Sequence, residues 1–204
     1  MEKNYALRKK RAAQTKKNLI EASVRLINER GYNNTTIDDI CAECGISKGA
    51  FYHHFNSKID IVSGLEAQVS SRLEEELMSR RDIPICDKIV KLLSGLMQGV
   101  EESGLEFVRQ RSIYNISGEY AKTAGDGSYA VASRSFEKKL IEEAVAEGIL
   151  KSDIPADDIV EIISTFMSGL ITSWVMFNGS FSITERAEVF GRQLVEGLLK
   201  PYIK

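Results

Sequence analysis

The stretch that most restricts the fold of this chain runs from Thr35 to Lys58 and reads TTIDDICAECGISKGAFYHHFNSK. It contains the signals for two short helices separated by a tight turn. Thr36 is suited to cap the first helix, because its hydroxyl can accept a hydrogen bond from a free backbone N–H group. Gly45 is suited to end that helix, since glycine adopts the left-handed conformation at low cost, and Ser47 repeats the capping signal. The predicted helices are Ile37–Cys44 and Lys48 to His54 or Phe55.

Apolar side chains recur at helical spacing through this stretch, which predicts one buried face on each helix. These positions are Ile37, Ile40, Cys41, Cys44, Ile46, Ala50, Phe51 and Phe55. The opposite face of the second helix carries Lys48, Gly49, Tyr52 and His53, which are small, aromatic or donor groups without an acid. Such a face suits the major groove of DNA, where a helix fits and base edges offer acceptors and thymine methyl groups.

The pattern T-T-I-x-x-I-x-x-x-x-G-I-S-K-G-A-F-Y-x-H-F-x-S-K closely resembles the helix-turn-helix domain of TetR-family (tetracycline-repressor) transcription factors. The strong resemblance covers about residues 15–61. It implies DNA contacts from the second helix, and hydroxyl or ammonium groups at helix starts can hold phosphate. Ala50 could instead be wholly structural. The candidate DNA-binding residues are Thr36, Ser47, Lys48, Gly49, Ala50, Tyr52, His53 and Lys58.

Charge is distributed unevenly along the chain. The net charge is −2 overall, but residues 1–60 hold 11 basic and 7 acidic side chains, and the remainder is acidic. A basic N-terminal part on an acidic body is typical of a DNA-binding domain joined to another domain. We predict that residues 1–14 form a mobile basic arm, which either contacts DNA phosphates or only aids solubility.

Helical periodicity continues to the end of the chain, which holds only three prolines. The sequence therefore predicts an all-α fold of about nine helices. Residues 1–60 are predicted to form a three-helix DNA-binding domain, and residues 61–204 an effector-binding and dimerisation domain. Besides the two helices above, the predicted helices cover residues 15–30, 57–80, 86–102, 105–120, 129–147, 156–177 and 184–200.

The predicted helix over residues 156–177 has an apolar stripe too wide for a helix with one buried face. A second apolar face needs a second partner, so we predict a homodimer through the helices near 156–177 and 184–200. The family resemblance implies the same arrangement. A two-fold dimer would place two recognition helices in successive major grooves of a pseudo-palindromic operator.

Metal and redox chemistry find little support in the sequence. Cys41 and Cys44 form a C-x-x-C pair, but both lie on the predicted inner face, and no second pair completes a tetrahedral site. His53 and His54 are the only histidines and are adjacent, so on a helix they diverge. We expect no metal, no cofactor and no enzymatic activity, because the sequence shows no catalytic constellation or phosphate loop.

In the TetR family a small molecule often binds inside the body and moves the DNA-binding domains apart. Here the candidate pocket residues are aromatic side chains and methionines that could equally form ordinary core. They are Met97, Phe107, Tyr114, Tyr120, Phe136, Phe166, Met167 and Trp174. This mixture favours an apolar effector.

Together these features predict a DNA-binding transcriptional regulator that acts as a repressor and is released from its operator by a small apolar effector. The alternative is a regulator whose body binds a protein partner and no small molecule. The odd number of cysteines argues against a disulfide framework. The chain has no apolar run of about 18 residues and no secretory signal, so we expect a cytoplasmic protein with no membrane partner.

Overall fold

The computed structural model describes residues 2–58, 60–117 and 129–204, and within these ranges the chain is almost entirely helical. An antiparallel bridge joins Leu150 to Ile203. The predicted all-α fold is confirmed. The helices are α1 Glu2–Arg30, α2 Ile37–Cys44, α3 Lys48–His54, α4 Asp60–Ser79, α5 Ile85–Ser103, α6 Leu105–Ile116, α7 Tyr129–Ala146, α8 Ala156–Met176 and α9 Ile183–Leu199, followed by a short 3₁₀ helix at Lys200–Tyr202.

Helix α1 is longer than the sequence patterns predict. The predicted mobile arm of residues 1–14 is not seen, because α1 begins at Glu2 and continues to Arg30 as one helix of 29 residues. At 1.5 Å per residue this helix is about 43 Å long. Its N-terminal half is rich in Ala, Lys, Arg and Gln, which favour helix, and no Gly or Pro interrupts it.

Helices α1 to α3 share a small apolar core, which we call the head core. Phe51 of α3 lies at its centre and is fully buried, with Phe55 beside it and Ile61 from the start of α4. The remaining members come from α1 and α2 and are Leu19, Ile20, Leu26, Ile40 and Cys41. The head core therefore fixes α3 against α1 and α2 as one unit.

A second and larger core, the body core, is built from α4, α5, α7, α8 and α9 with Val108 of α6. Helix α5 lies at its centre and packs along α9. Helix α4 contributes Leu73 and Leu77 to this core, whereas Ile61 belongs to the head core. Helix α4 thus joins the two cores, and a domain boundary after residue 60 stays a prediction.

The head also contacts the body through the end of α1. Ile27 and Phe107 are both buried and pack together. Beside them, the Asn28 amide donates a hydrogen bond of 2.7 Å to the carbonyl of Ser103. Gly104 has φ +85° and lies so close that a methyl group there would be 2.3 Å from Oδ1 of Asn28. The corner between α5 and α6 is therefore shaped to receive α1.

Helix α8 leaves one face uncovered. By length and composition it could cross a membrane, but another of its faces is buried in the body core, as in the core helices of folded domains. The outer face is exposed at Ile162, Thr165, Gly169, Thr172 and Met176, which recur at helical spacing. Ile162 and Met176 are the large apolar side chains on this face, and a second partner for α8 stays a prediction.

We predict that Gly104→Ala destabilises the protein more than Gly148→Ala does. Both glycines have positive φ, at +85° and +75°, but a methyl group at position 148 has open space around it. The matched pair therefore separates backbone strain from loss of the α1 contact. Backbone strain costs about 1–3 kcal/mol, and each kcal/mol lowers the Tm of a chain this size by about 2–4 °C.

The measurement is the Tm of both variants by circular dichroism. Equal losses of Tm would show that the contact between Asn28 and the α5–α6 corner contributes nothing to stability.

Candidate nucleic-acid interface

The start of α2 is held by a reciprocal pair of hydrogen bonds. The backbone N–H of Asp39 donates to the hydroxyl of Thr36 at 3.1 Å, and the backbone N–H of Thr36 donates to the Asp39 carboxylate at 2.8 Å. The Thr36 hydroxyl and backbone both stabilise the charged carboxylate, which lowers the pKa of Asp39. The predicted cap is confirmed, with Asp in place of the usual Glu.

Helix α3 is positioned by its own cap and by two buried rings. The backbone N–H of Ala50 donates to the Ser47 hydroxyl at 3.2 Å, and Gly45 ends α2 in the left-handed conformation. Phe51 and Phe55 face the head core, as the sequence predicts. The other side of α3 is therefore turned outward, with its orientation fixed by the core.

The outward face of α3 presents the side chains that the sequence singled out. Tyr52 is 52% exposed and its ring meets Phe51 edge to face. His53, Lys48 and Gly49 are also exposed, and Ala50 is half-buried. The structure thus brings these five positions and the Ser47 cap onto one short helix.

Lys48 forms an ion pair that sequence reasoning missed. Its ammonium lies 2.9 Å from a carboxylate oxygen of Asp38 in the first turn of α2. The hydrogen bond and charge of Asp38 raise the pKa of Lys48. Ten positions separate the two residues, so no local pattern reveals the pair.

Lys58 has a different environment from Lys48. Its ammonium donates to the backbone carbonyls of Tyr32 and of Thr35, the latter at 2.6 Å, and lies 3.7 Å from the centre of the Tyr32 ring. Burial lowers the pKa of Lys58. These bonds tie the start of α4 to the turn between α1 and α2. A phosphate contact from Lys58 stays a prediction. It would have to use the third N–H of the ammonium, because the other two donate to the carbonyls of Tyr32 and Thr35.

The cysteines of α2 face inward. Cys41 is buried, and Cys44 is half-buried with its thiol donating to the carbonyl of Asn18 at 3.6 Å. Burial raises the pKa of both thiols, which disfavours the reactive thiolate. Within the described residues no group of three or more His, Cys, Asp or Glu side chains is arranged to hold a metal ion.

The candidate effector-pocket residues do not all lie together. Five of them pack in or against the body core, namely Met97, Phe136, Phe166, Met167 and Trp174. Phe107 lies instead at the contact with α1, and Tyr114 is half-buried on α6. Tyr120 lies outside the described residues. The pocket assignment stays a prediction for this set, and Phe107 has an evident role in joining head and body.

Comparison with known proteins agrees with this architecture. The family model described as "Bacterial regulatory proteins, tetR family" matches residues 19–65, which include α2 and α3. A second model, described as "MAATS-type transcriptional repressor, C-terminal region", matches residues 126–202. The two matched segments fall in the head and the body respectively.

Full-length relatives show the same organisation. The HTH-type transcriptional regulator AcrR of Shigella flexneri is 25% identical over 96% of this chain and 92% of its own length. Among solved structures, FadR of Thermus thermophilus in complex with lauroyl-CoA has a TM-score of 0.68 at 17% identity, covering 90% of this chain and 95% of that one. The fatty acid degradation regulator FadR of Bacillus halodurans has a TM-score of 0.67 at 19% identity, covering 90% and 96%.

Three findings indicate the same kind of protein: the outward face of α3, the arrangement of head and body, and the two family matches. The chain therefore belongs to the TetR family of bacterial transcriptional regulators and is a DNA-binding protein.

Proposed function

We propose that this protein is a homodimeric transcriptional repressor, released from a pseudo-palindromic operator by a small apolar effector. The observation that carries the proposal is the outward face of α3, with Tyr52 and Lys48 exposed on a helix whose other face is locked into the head core. The family model that matches residues 126–202 is described as that of a transcriptional repressor, which supports repression as the direction of regulation.

Helix α3 is the proposed recognition helix. N-terminal residues of such a helix contact base edges in the major groove, and here those residues are Lys48 and Gly49. Tyr52 lies one turn later and offers a ring and a hydroxyl to bases or sugars. Ser47 and the start of α2 lie where phosphates flank the groove, and the basic side chains of α1 between Arg8 and Arg11 are exposed. These groups together provide both phosphate and base contacts.

The proposed dimer interface is formed by the outer faces of α8 and α9. Met176 and Phe177 are 75% and 62% exposed, and Val189 and Phe190 continue the apolar surface on α9. Gly169 and Gly197 have open space where a side chain would stand, so a partner helix can approach closely. Covering such a surface with a second copy buries it and sets the spacing of the two heads.

We propose an apolar effector because the core of the body, where it would bind, is built of apolar side chains. Its candidate lining residues are aromatic or methionine side chains, which adapt to apolar ligands. The FadR structure from Thermus thermophilus contains lauroyl-CoA, a molecule with a long apolar acyl chain bound to a protein of the same fold. As a regulator of transcription the protein would act in the cytoplasm, and we propose no catalytic role for it.

We predict that Tyr52→Ala and Lys48→Ala weaken operator binding without unfolding the head. Tyr52→Ala should reduce the preference for specific DNA, and one lost base contact costs about 1–3 kcal/mol. Lys48→Ala should likewise weaken operator binding by about 1–3 kcal/mol, because its ammonium is proposed to contact a base edge. The matched control is Lys91→Ala, which removes an exposed cation from α5 of the body.

The measurement is fluorescence anisotropy with a duplex from upstream of the protein's own gene and a scrambled duplex, over a series of salt concentrations. Unchanged affinity in both α3 variants would contradict the assignment of α3 as recognition helix.

We predict that Phe190→Glu converts the dimer to monomers and abolishes tight operator binding, because one head cannot contact two half-sites about 34 Å apart. Phe190 is 46% exposed, and the control Ile113→Glu places the same charge on an apolar residue of α6 that is 55% exposed. Sedimentation velocity gives the oligomeric state. A dimer that survives Phe190→Glu but not Ile113→Glu would move the interface to α6.

We predict that a lipophilic effector raises the Tm of the protein and releases the upstream duplex at the same concentration. Ligand at 100 times its Kd stabilises the folded state by about 2.7 kcal/mol, which corresponds to a Tm rise of about 5–10 °C. The measurement is a thermal-shift screen followed by anisotropy on each hit. A screen of lipophilic compounds without any shift would favour a body that binds a protein partner instead.

A further inference from the structure

Helix α3 carries one permanent cation, Lys48. Its sequence is KGAFYHH, so Lys48 is its only Lys or Arg. Burial, together with His53 and Lys16, lowers the pKa of His54. Lys48 is therefore the one permanent cation that α3 itself offers to DNA phosphates.

The carboxylate of Asp38 neutralises that cation. The two side chains are 2.9 Å apart, yet 56% of Lys48 and 68% of Asp38 remain exposed. The pair thus lies on the outer surface rather than in a core, where DNA can reach it. Asp38 takes no part in the hydrogen bonds that cap α2, because the capping carboxylate is that of its neighbour Asp39. The cap therefore does not require an acid at position 38.

We infer that Asp38 is a specificity-determining residue, which keeps Lys48 from binding phosphates of non-operator DNA while leaving it able to contact a base edge. This inference rests on the proposed DNA-binding function of α3. The inference explains why an acidic residue stands on a surface that is proposed to face the negatively charged DNA.

The two kinds of DNA contact place different demands on Lys48. An ammonium group has three N–H donors, so Lys48 can keep its bond to Asp38 and still donate to the acceptors of a guanine. A phosphate contact depends instead on the net charge of the Lys48 side chain and its partner, and Asp38 cancels that charge. Non-specific binding consists almost entirely of phosphate contacts. Asp38 therefore weakens non-specific binding more than operator binding.

The test is Asp38→Asn, which keeps the shape of the side chain and removes its charge. We expect binding to the scrambled duplex to tighten by about two- to fivefold, the range for an exposed ion pair, and the salt slope on that duplex to steepen by about 0.9. Binding to the upstream duplex should stay within twofold of the unmodified protein or weaken. The ratio of the two affinities should therefore fall.

Two controls separate this role from a general effect of charge. Glu43→Gln makes the same change of net charge on α2, at an acid that pairs with Arg25 of α1 instead of with α3, and it should leave the affinity ratio unchanged. In a Lys48→Met background, Asp38→Asn should no longer affect scrambled-duplex binding, because the two residues act as a pair.

An unchanged affinity ratio in Asp38→Asn, or an effect that persists without Lys48, would overturn the inference. Failure of the unmodified protein to bind either duplex at low salt would instead contradict the proposed function. The Tm of each variant confirms that the head remains folded.

Discussion

The placement of α3 depends on how the head is held on the body. The head core joins α1, α2 and α3 into one unit around Phe51, so α3 moves only where that unit moves. In the described part of the chain, the unit is held on the body by the shared helix α4 and by the end of α1 against the α5–α6 corner. At that corner the Asn28 amide bonds to the Ser103 carbonyl, and Ile27 packs on Phe107. Any displacement of the corner must therefore turn α3 or break these contacts.

Helix α6 connects this corner to the surface that we propose as the dimer interface. Arg109 of α6 donates to the carboxylate of Glu106 at 2.6 Å and to the side-chain carbonyl of Asn178 at 2.8 Å. Asn178 lies in the turn between α8 and α9, directly after the exposed Phe177. Repacking of the body core around an effector would thus act on the N-terminal half of α6, where both contacts lie. A ligand shifts such an equilibrium only by its different affinity for the two states, so an effector must fit one position of α6 better than the other.

What the sequence predicted well is local. The limits of α2 and α3 follow from Thr36, Gly45 and Ser47, whose effects reach no further than one helical turn, and the structure confirms them. Apolar periodicity also predicted the inner faces of α2 and α3, because it requires only that each helix has one buried side. The predicted start of α1 near residue 15 was wrong. The basic segment of residues 1–14 was interpreted as a mobile arm, although its residues favour helix. The placement of Phe107 was not predictable, because two helices far apart in sequence meet there.

Lys48 and Lys58 show why the interface could be predicted only in part. Both were candidate DNA-binding residues. Lys48 begins α3, and Lys58 lies two residues before the start of α4. The ammonium of Lys58 bonds to the carbonyls of Tyr32 and Thr35, and burial lowers its pKa. The ammonium of Lys48 remains at the surface with Asp38 as its partner. The partner in each case comes from another helix or turn, so residue type and spacing cannot distinguish a lysine that holds the head together from one that is available to DNA. That distinction arises only when α1, α2 and α3 are packed on one core.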